Sequence, residues 1–250
     1  MTETPHASAI VTGAGSGIGR SIARALLVAG FGVTLAGRRI APLQETAAGH
    51  AHGLVVETDI TDQPQVERLL SRHVETFGRL DVLVNNAGVF GPSADIGDLT
   101  TAEWESTLAV NLTGAMLCAG AAFRQMKAQL PAGGRIINNG SISAQTPRPR
   151  SVAYTTTKHA IAGLTKSIEL DGRAHRITAT QLDIGNARTE LIDRLVTDGA
   201  LQADGSRRPE PTMDAGHVAD LVVQLAGMPL EVSVPQLTVT AAGMPFIGRG

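Results

Sequence analysis

The chain has 250 residues, of which 43% are hydrophobic and 18% charged, and its formal net charge is −2. This balance is typical of a globular protein with one substantial core, and it argues against a disordered chain, a nucleic acid partner and association with an anionic membrane. The single cysteine, Cys118, excludes an intramolecular disulfide and a cysteine-rich zinc site, so we predict one cytoplasmic domain over 1–250 that holds no metal ion.

The chain alternates between short runs rich in valine and isoleucine and longer stretches of helical period. We predict strands at 8–12, 32–36, 54–58, 80–85, 135–139, 177–182 and 236–240. We predict helices near 17–29, 41–49, 62–77, 101–129, 151–172 and 214–226, with Asp62 and Asp214 as N-caps. The alternation predicts an α/β fold in which helices cover both faces of a doubly wound, parallel, seven-stranded sheet.

The segment from about 190 to 213 interrupts this alternation and is richer in charge, glycine and proline than its neighbours. Long segments of this kind in compact domains often cover a functional site. We interpret it as a mobile insertion on the substrate side of a site, with a plain surface loop as the alternative.

A glycine-rich turn, "TGAGSGIGR" at 12–20, follows the first predicted strand and opens the first helix. Gly13, Gly17 and Gly19 allow a backbone to approach a pyrophosphate, which then lies against the free N–H groups and the positive end of the helix dipole. The spacing differs from GxGxxG, because Ile18 takes the third glycine's place. Such a turn can also be a plain tight connection, but its place after the first strand favours a nucleotide site.

The only tyrosine, Tyr154, precedes one of three lysines, Lys158, by four residues in "YTTTK". Residues four apart on a helix share a face, so the two side chains can act as a pair. The alternative is a half-buried tyrosine with a solvated lysine beside it.

These stretches resemble the motifs of the short-chain dehydrogenases/reductases, in the branch with subunits of about this length. "TGAGSGIG" is similar to TGxxxGxG, "NNAG" at 85–88 to the motif of the same letters, and "YTTTK" to YxxxK. The resemblance implies a Rossmann-type fold and an NAD(P)-dependent oxidoreductase that reduces a ketone or oxidises a secondary alcohol by hydride transfer. A dehydratase or epimerase of the same fold, and a non-catalytic dinucleotide-binding regulator, are the alternatives.

The resemblance also implies four catalytic residues. Tyr154 exchanges a proton with the oxygen of a small carbonyl or alcohol substrate, and Lys158 favours the phenolate and contacts the cofactor ribose. Ser141 in "NNGSISA" hydrogen-bonds the substrate oxygen, and Asn111 in "VNLTG" holds a water that links Lys158 to solvent. Without the resemblance, Ser141 would cap a strand end and Asn111 would be an interior asparagine that interrupts a helix.

The remaining cofactor contacts that the resemblance implies follow the predicted strands. They are Gly13, Ser16, Gly17, Ile18 and Gly19 after the first strand, Asp59 and Ile60 after the third, Asn85, Ala87 and Gly88 after the fourth, and Gly185, Ala187 and Thr189 after the sixth, beside Tyr154 and Lys158. Asp59 could instead be a turn aspartate, and Asn85 could tie strand ends together. The chain departs from the family pattern at Ile184, in place of proline, and at Gly140, in place of serine.

The end of the second strand, "LAGRR" at 35–39, indicates which cofactor is preferred. Gly37 stands where enzymes that use NAD(H) commonly have an acid for the ribose hydroxyls, and Arg38 and Arg39 follow it. Guanidinium groups suit phosphate oxygens, so NADP(H) is favoured, with NAD(H) as the alternative. On the competing interpretation the arginines are solvated and pair with acids such as Glu45.

The family commonly assembles through its two long helices, here near 101–129 and 151–172, so the resemblance implies a homo-oligomer, either a tetramer or a dimer. The loop "TPRPR" at 146–150 adds Arg148 and Arg150 between two proposed catalytic residues. These arginines could attract an acidic substrate or a neighbouring subunit, or they are solvated loop residues.

Overall fold

The computed structural model describes residues 5–189 and 199–247. In chain order its strands are β1 (Ser8–Thr12), β2 (Gly32–Gly37), β3 (Gly53–Glu57), β4 (Val82–Asn85), β5 (Gly134–Asn139), β6 (Ile177–Ile184), β7 (Ala187–Arg188), β8 (Ala200–Leu201), β9 (Arg207–Arg208), β10 (Met213–Asp214) and β11 (Gln236–Val239). Seven of them form one sheet in the order β11-β6-β5-β4-β1-β2-β3, and every neighbouring pair in it is parallel. The predicted α/β fold class is confirmed.

Helices cover both faces of this sheet. They are α1 (Gly17–Val28), α2 (Ile40–Ala47), α3 (Gln63–Phe77), α4 (Thr101–Leu108), α5 (Ala115–Ala128), α6 (Val152–Gly172) and α7 (Ala215–Gly227). Ile22 of α1 and Val218 of α7 belong to one buried cluster, while Leu69 of α3 and Met126 of α5 belong to another. Two apolar layers therefore enclose the sheet, as the doubly wound pattern requires.

The predicted N-caps lie where the sequence places them. The Asp62 carboxylate accepts a hydrogen bond from the Gln65 N–H at the start of α3, and the Asp214 carboxylate accepts one from the Gly216 N–H at the start of α7. Both predictions are confirmed, because each side chain satisfies an N–H that has no partner inside the helix.

The predicted continuous helix at 101–129 is interrupted. Between α4 and α5, residues Ala109–Gly114 form a wider π-helical turn. Asn111 lies in this turn, and its side-chain amide bonds the backbone of Val89. Gly114 approaches the loop after β3 so closely that a Cβ atom would lie 2.7 Å from Ile60 Cδ1. Helical periodicity cannot reveal this, since the contacts that widen the turn come from distant segments.

The stretch Thr101–Ala128 is long and apolar enough to cross a membrane by length and composition. Cys118, Ala122 and Met126 of α5 are nevertheless fully buried against the sheet. The apolar residues on this side of the helix thus serve a core of the ordinary globular kind.

Parallel pairing places the carboxyl ends of all seven strands at one edge of the sheet. The segments that follow β1, β4, β5 and β6 carry the glycine turn, "NNAG", Ser141 and Gly185. Ligands of open α/β sheets bind outside this edge, so the fold collects the predicted site residues in the expected place.

Candidate active site

The glycine turn after β1 is tightly packed. Gly13 and Gly17 have φ values of +66° and +51°, which favour glycine. A Cβ atom at Gly19 would collide with the Gly13 carbonyl oxygen. Ser16 is the N-cap of α1, but its side chain makes no capping hydrogen bond with the described residues. Backbone N–H groups at the start of α1 are therefore available to an anion, and the turn fits a dinucleotide pyrophosphate.

The two asparagines of "NNAG" join strand ends. The Asn86 side chain donates to the Thr12 carbonyl at 2.9 Å and accepts from the Asn139 amide at 2.9 Å. The Asn85 side chain donates to Asn138 Oδ1 and to the Ala115 carbonyl, both at 3.0 Å. The alternative interpretation of Asn85 is thus correct for its side chain, and its cofactor contact stays a prediction.

Asp59 and Ile60 form the turn after β3. The Asp59 carboxylate accepts hydrogen bonds from the Thr61 N–H at 2.9 Å and the Thr61 hydroxyl at 2.8 Å, and these bonds lower the pKa of Asp59. Ile60 is buried against Gly114. Asp59 therefore acts as a turn aspartate, and the predicted cofactor contact of these two residues stays untested.

The loop after β6 lies between the glycine turn and the end of β11. The Gly185 N–H donates to the Val239 carbonyl at 2.9 Å. Ala187 is buried, and a Cβ atom at Gly17 would lie 3.2 Å from Thr189 Cγ2. The fold thereby brings the turn predicted to hold the pyrophosphate against the loop after β6, which is also predicted to contact the cofactor.

Tyr154 and Lys158 lie one helical turn apart in α6. Lys158 Nζ is 5.5 Å from the Tyr154 ring centroid and donates to the Asn139 carbonyl at 2.7 Å. Lys158 is only 7% exposed, so the alternative of a solvated lysine is wrong. The pair shares one helix face, as predicted from the spacing.

Ionisation of the pair differs from the expectation. Burial raises the pKa of Tyr154, although a hydrogen bond with the Ser141 hydroxyl and the charge of Arg148 lower it. Burial lowers the pKa of Lys158 to about 8, and the charge of Asp183 opposes this shift. The protein groups alone therefore do not produce the lowered phenol pKa that the sequence suggested, because removal from water outweighs the nearby cations.

Ser141 has two roles at the end of β5. Its hydroxyl oxygen accepts from the Ser143 N–H at 3.1 Å and so caps a short 3-10 turn, Ile142–Ala144. The same side chain also acts on Tyr154, because it lowers the pKa of the phenol against the larger effect of burial. The capping interpretation and the catalytic one are thus compatible.

Asn111 links three parts of the site. Its Oδ1 accepts from the Val89 N–H at 2.8 Å, and its Nδ2 donates to the Val89 carbonyl at 2.7 Å and to Thr157 Oγ1 at 3.2 Å. Thr157 precedes Lys158 on α6. Asn111 therefore positions the loop after β4 against α6, while the predicted water relay stays a prediction.

Arg148 contacts the described part of the predicted insertion. Its guanidinium forms a bidentate pair with the buried Glu210 carboxylate at 2.6 and 3.1 Å and donates to Asn186 Oδ1 at 3.1 Å. Burial opposes ionisation of Glu210, but hydrogen bonds from Arg148 and Asn186 outweigh it and lower the Glu210 pKa to about 2. A solvated Arg148 is therefore wrong, whereas Arg150 is exposed and lies 3.5 Å from Asp95.

The predicted insertion at about 190–213 is described from residue 199 onward, and 190–198 lie outside the described residues. The described part contains the β8–β9 ladder and Glu210. The prediction that this segment is mobile stays untested.

Arg38 and Arg39 are exposed at the start of α2. Glu45 lies 3.5 Å from Arg20, and within 5–189 and 199–247 neither Arg38 nor Arg39 forms an ion pair. Pairing with Glu45 is therefore wrong for these two arginines. Their guanidinium groups remain open to an anionic ligand.

Sequence reasoning assigned no role to Asp183, although it lies two residues before Gly185, a predicted cofactor contact. The carboxylate is fully buried and accepts from the Ser141 N–H at 3.1 Å. The one signal in the sequence is an acid at the end of an otherwise uncharged strand, next to the departure at Ile184.

Comparison with known proteins agrees with this geometry. A sequence profile described as short chain dehydrogenase matches residues 7–199. The short chain dehydrogenase/reductase astE of Aspergillus oryzae is 37% identical over 188 residues, which are 73% of this chain and 72% of that protein.

Solved structures share the fold. A 3-ketoacyl-(acyl-carrier-protein) reductase from Brucella melitensis in complex with NADH has a TM-score of 0.83 at 23% identity, over 95% of this chain and 98% of that one. Actinorhodin polyketide ketoreductase with NADPH has a TM-score of 0.83 at 27% identity, over 96% of this chain and 98% of that one. The first of these structures contains NADH and the second NADPH.

Proposed function

The chain belongs to the short-chain dehydrogenase/reductase family of nicotinamide-dependent oxidoreductases, and we propose that it reduces a small ketone with NADPH, or oxidises the corresponding secondary alcohol in reverse. The observation that carries this proposal is the buried pair on α6, in which Lys158 Nζ lies 5.5 Å from the Tyr154 ring centroid and is held by the Asn139 carbonyl at the end of β5, two residues before Ser141. The Brucella and actinorhodin relatives are named as reductases of keto substrates, which supports a carbonyl substrate for this chain.

The site residues divide the work on the substrate oxygen. The Tyr154 O–H gives its proton to the oxygen during reduction and takes it back during oxidation. The Ser141 O–H donates a hydrogen bond to the same oxygen and stabilises the negative charge that builds there. When bound, a nicotinamide cofactor would supply the hydride for reduction or accept it in oxidation.

Lys158 supports this chemistry from one helical turn after Tyr154 on α6. Its ammonium is fixed by the Asn139 carbonyl at 2.7 Å, and its positive charge stabilises the phenolate that remains after proton transfer. Charged below a pH of about 8, it also suits the ribose hydroxyls as a donor.

The function is tested with a panel of ketones and alcohols, while nicotinamide absorbance follows hydride transfer. Turnover of at least one carbonyl or alcohol is the expected result. A panel that is converted without any change in nicotinamide absorbance would indicate a dehydratase or epimerase instead.

Preference for NADP(H) rests on the end of β2. Gly37 offers no carboxylate to repel a 2′-phosphate, and Arg38 and Arg39 follow it with no ion-pair partner among the described residues. We expect Arg38→Ala to lower the preference for NADPH over NADH by roughly tenfold to a hundredfold, because a hydrogen bond to a charged group contributes about 1.5 to 3 kcal/mol.

The measurement is kcat/KM for one substrate with each cofactor, in the parent and in Arg38→Ala. Arg72→Ala is the matched control. Arg72 is an exposed arginine on α3 whose ion pair with Glu75 is long, at 3.7 Å, and its loss should leave the cofactor preference unchanged. An equal or higher kcat/KM with NADH than with NADPH in the parent would show that this loop does not recognise the 2′-phosphate. So would an unchanged preference in Arg38→Ala.

We further propose that the protein is a cytoplasmic homo-oligomer, a tetramer or a dimer. Apolar side chains stay exposed on the two long helices, with Met116 of α5 at 45% and Leu170 of α6 at 60%. Contact between copies would remove this apolar surface from water. Light scattering at micromolar concentration is expected to give a dimer or tetramer mass, and a monomer alone would refute the assembly.

A further inference from the structure

Asp183 is a buried charge that the proposed mechanism does not use. It lies near the end of β6 and has no exposed surface. Its carboxylate accepts four hydrogen bonds, from the Ser141 N–H at 3.1 Å and from the side-chain amides of Gln145, Gln181 and Gln236 at 3.0, 2.7 and 2.9 Å. All four partners donate, which is the pattern of an ionised carboxylate, an acceptor only.

Gly140 makes room for this carboxylate. A Cβ atom at Gly140 would collide with Asp183 Oδ1, although the Gly140 backbone does not have a positive φ. The glycine is therefore required by space and not by conformation. Gly140 and Asp183 form a complementary pair that lets the carboxylate reach the Ser141 N–H. Gly140 is itself a departure from the family's pattern, and Asp183 precedes the other departure, Ile184.

We propose that Asp183 is a positioning residue: its carboxylate fixes the Ser141 turn through the Ser141 N–H, and its buried negative charge acts on the two ionisable groups of α6. The proposal rests on the proposed function, because the role matters only if Ser141 and Tyr154 act on a substrate. Gln145 extends the anchor, since it follows the 3-10 turn that Ser141 caps.

The charge of Asp183 acts on both ionisable groups of α6. Burial has the larger effect: it raises the pKa of Tyr154 and lowers the pKa of Lys158. The charge of Asp183 has a smaller effect and raises the pKa of both groups. Arg148 is the charged group that opposes Asp183 at the phenol. Neutralising Asp183 is therefore expected to lower the pKa of Tyr154, because an anion nearby disfavours the phenolate.

Asp183→Asn removes the negative charge and keeps an acceptor for the Ser141 N–H, so it tests the charge separately from the hydrogen bond. The new amide oxygen can still accept from the Ser141 N–H, and its NH₂ can face Gln145 and Gln236 if their amides turn over to present oxygen. Tyr154 is the only tyrosine in the chain, so its phenolate absorbance reports its ionisation without any substrate.

We expect the phenolate transition of Asp183→Asn at lower pH than in the parent. Asp220→Asn makes the same change at an exposed position on α7 and should titrate like the parent, while Tyr154→Phe should show no transition. If the phenolate transition has the same midpoint pH in the parent and in Asp183→Asn, the proposed effect of the Asp183 charge on Tyr154 is overturned.

The anchor is tested by kcat/KM in a double-mutant cycle of Asp183→Ala and Ser141→Ala. We expect Asp183→Ala to cost about tenfold to a hundredfold in the parent and little in the Ser141→Ala background, because both changes act through one hydroxyl. An equal cost in both backgrounds would overturn positioning through Ser141. If Asp183→Ala does not fold, Asp183→Leu replaces it in the cycle with the same criterion, because leucine is close to aspartate in size and also has no acceptor for the Ser141 N–H.

Failure of this inference is distinguishable from failure of the proposed function. Full activity of Tyr154→Phe would refute the proposed function itself. An inactive Tyr154→Phe, together with an Asp183→Asn protein that titrates like the parent and an Asp183→Ala cost that is equal in both Ser141 backgrounds, would refute only the role of Asp183.

Discussion

Replacing Tyr154 by phenylalanine is expected to lower kcat/KM by at least about a hundredfold, the lower end of what a positioned acid or base contributes. The change deletes one hydroxyl. The ring contact with Phe90, whose centroid is 5.0 Å away, and the position of Lys158 over the ring can both be kept. Loss of activity would therefore report the missing proton and not lost packing.

Affinity for NADPH, measured by titration of the Trp104 fluorescence or by calorimetry, is expected to stay within a few-fold of the parent in Tyr154→Phe. The melting temperature serves as the folding control. A variant that keeps more than a small fraction of the rate on an identified substrate would show that another group transfers the proton.

Replacing Lys158 is expected to damage both turnover and cofactor binding. Lys158→Met keeps an unbranched side chain of similar length and removes the charge and the donor to the Asn139 carbonyl. Loss of a charged donor toward both the phenol and the ribose predicts a decrease of about a hundredfold or more in kcat/KM. An unchanged affinity for NADPH would refute the ribose contact while leaving the electrostatic role in place.

The pH dependence gives a second test of Lys158. Burial lowers its pKa to about 8, against the opposing charge of Asp183, so the amine is charged below that pH and neutral above it. Affinity for NADPH should therefore decline as pH rises through about 8 in the parent. Lys158→Met should lack this decline, and Lys158→Arg, which keeps its charge at high pH, should lack it too.

Features set by local spacing could be predicted from the sequence. Tyr154 and Lys158 share a helix face because they are four residues apart, and Asp62 caps α3 because its carboxylate reaches an N–H three residues on. The doubly wound, parallel, seven-stranded sheet followed from alternation and from the resemblance. These predictions need only neighbouring residues or a pattern that covers the whole chain.

Features set by packing could not be predicted. The π turn at Asn111 depends on Val89, 22 residues away, and the anchor of Ser141 depends on Asp183, 42 residues away. The raised pKa of Tyr154 depends on how much water the folded chain removes, which spacing does not report. Sequence periodicity specifies which elements form, and their contacts decide the ionisation within the site.

The hydrogen bonds that join the strand ends also determine when the site can exist during folding. Thr12 and Asn86 are 74 residues apart, and Asn86 and Asn139 are 53 apart. Contacts of such long range form slowly, since chain entropy must be lost before they stabilise anything. Helix α6, by contrast, can form from local bonds. A partly folded chain can thus hold Tyr154 and Lys158 in register on a helix while the pocket that gives them a substrate has not yet closed.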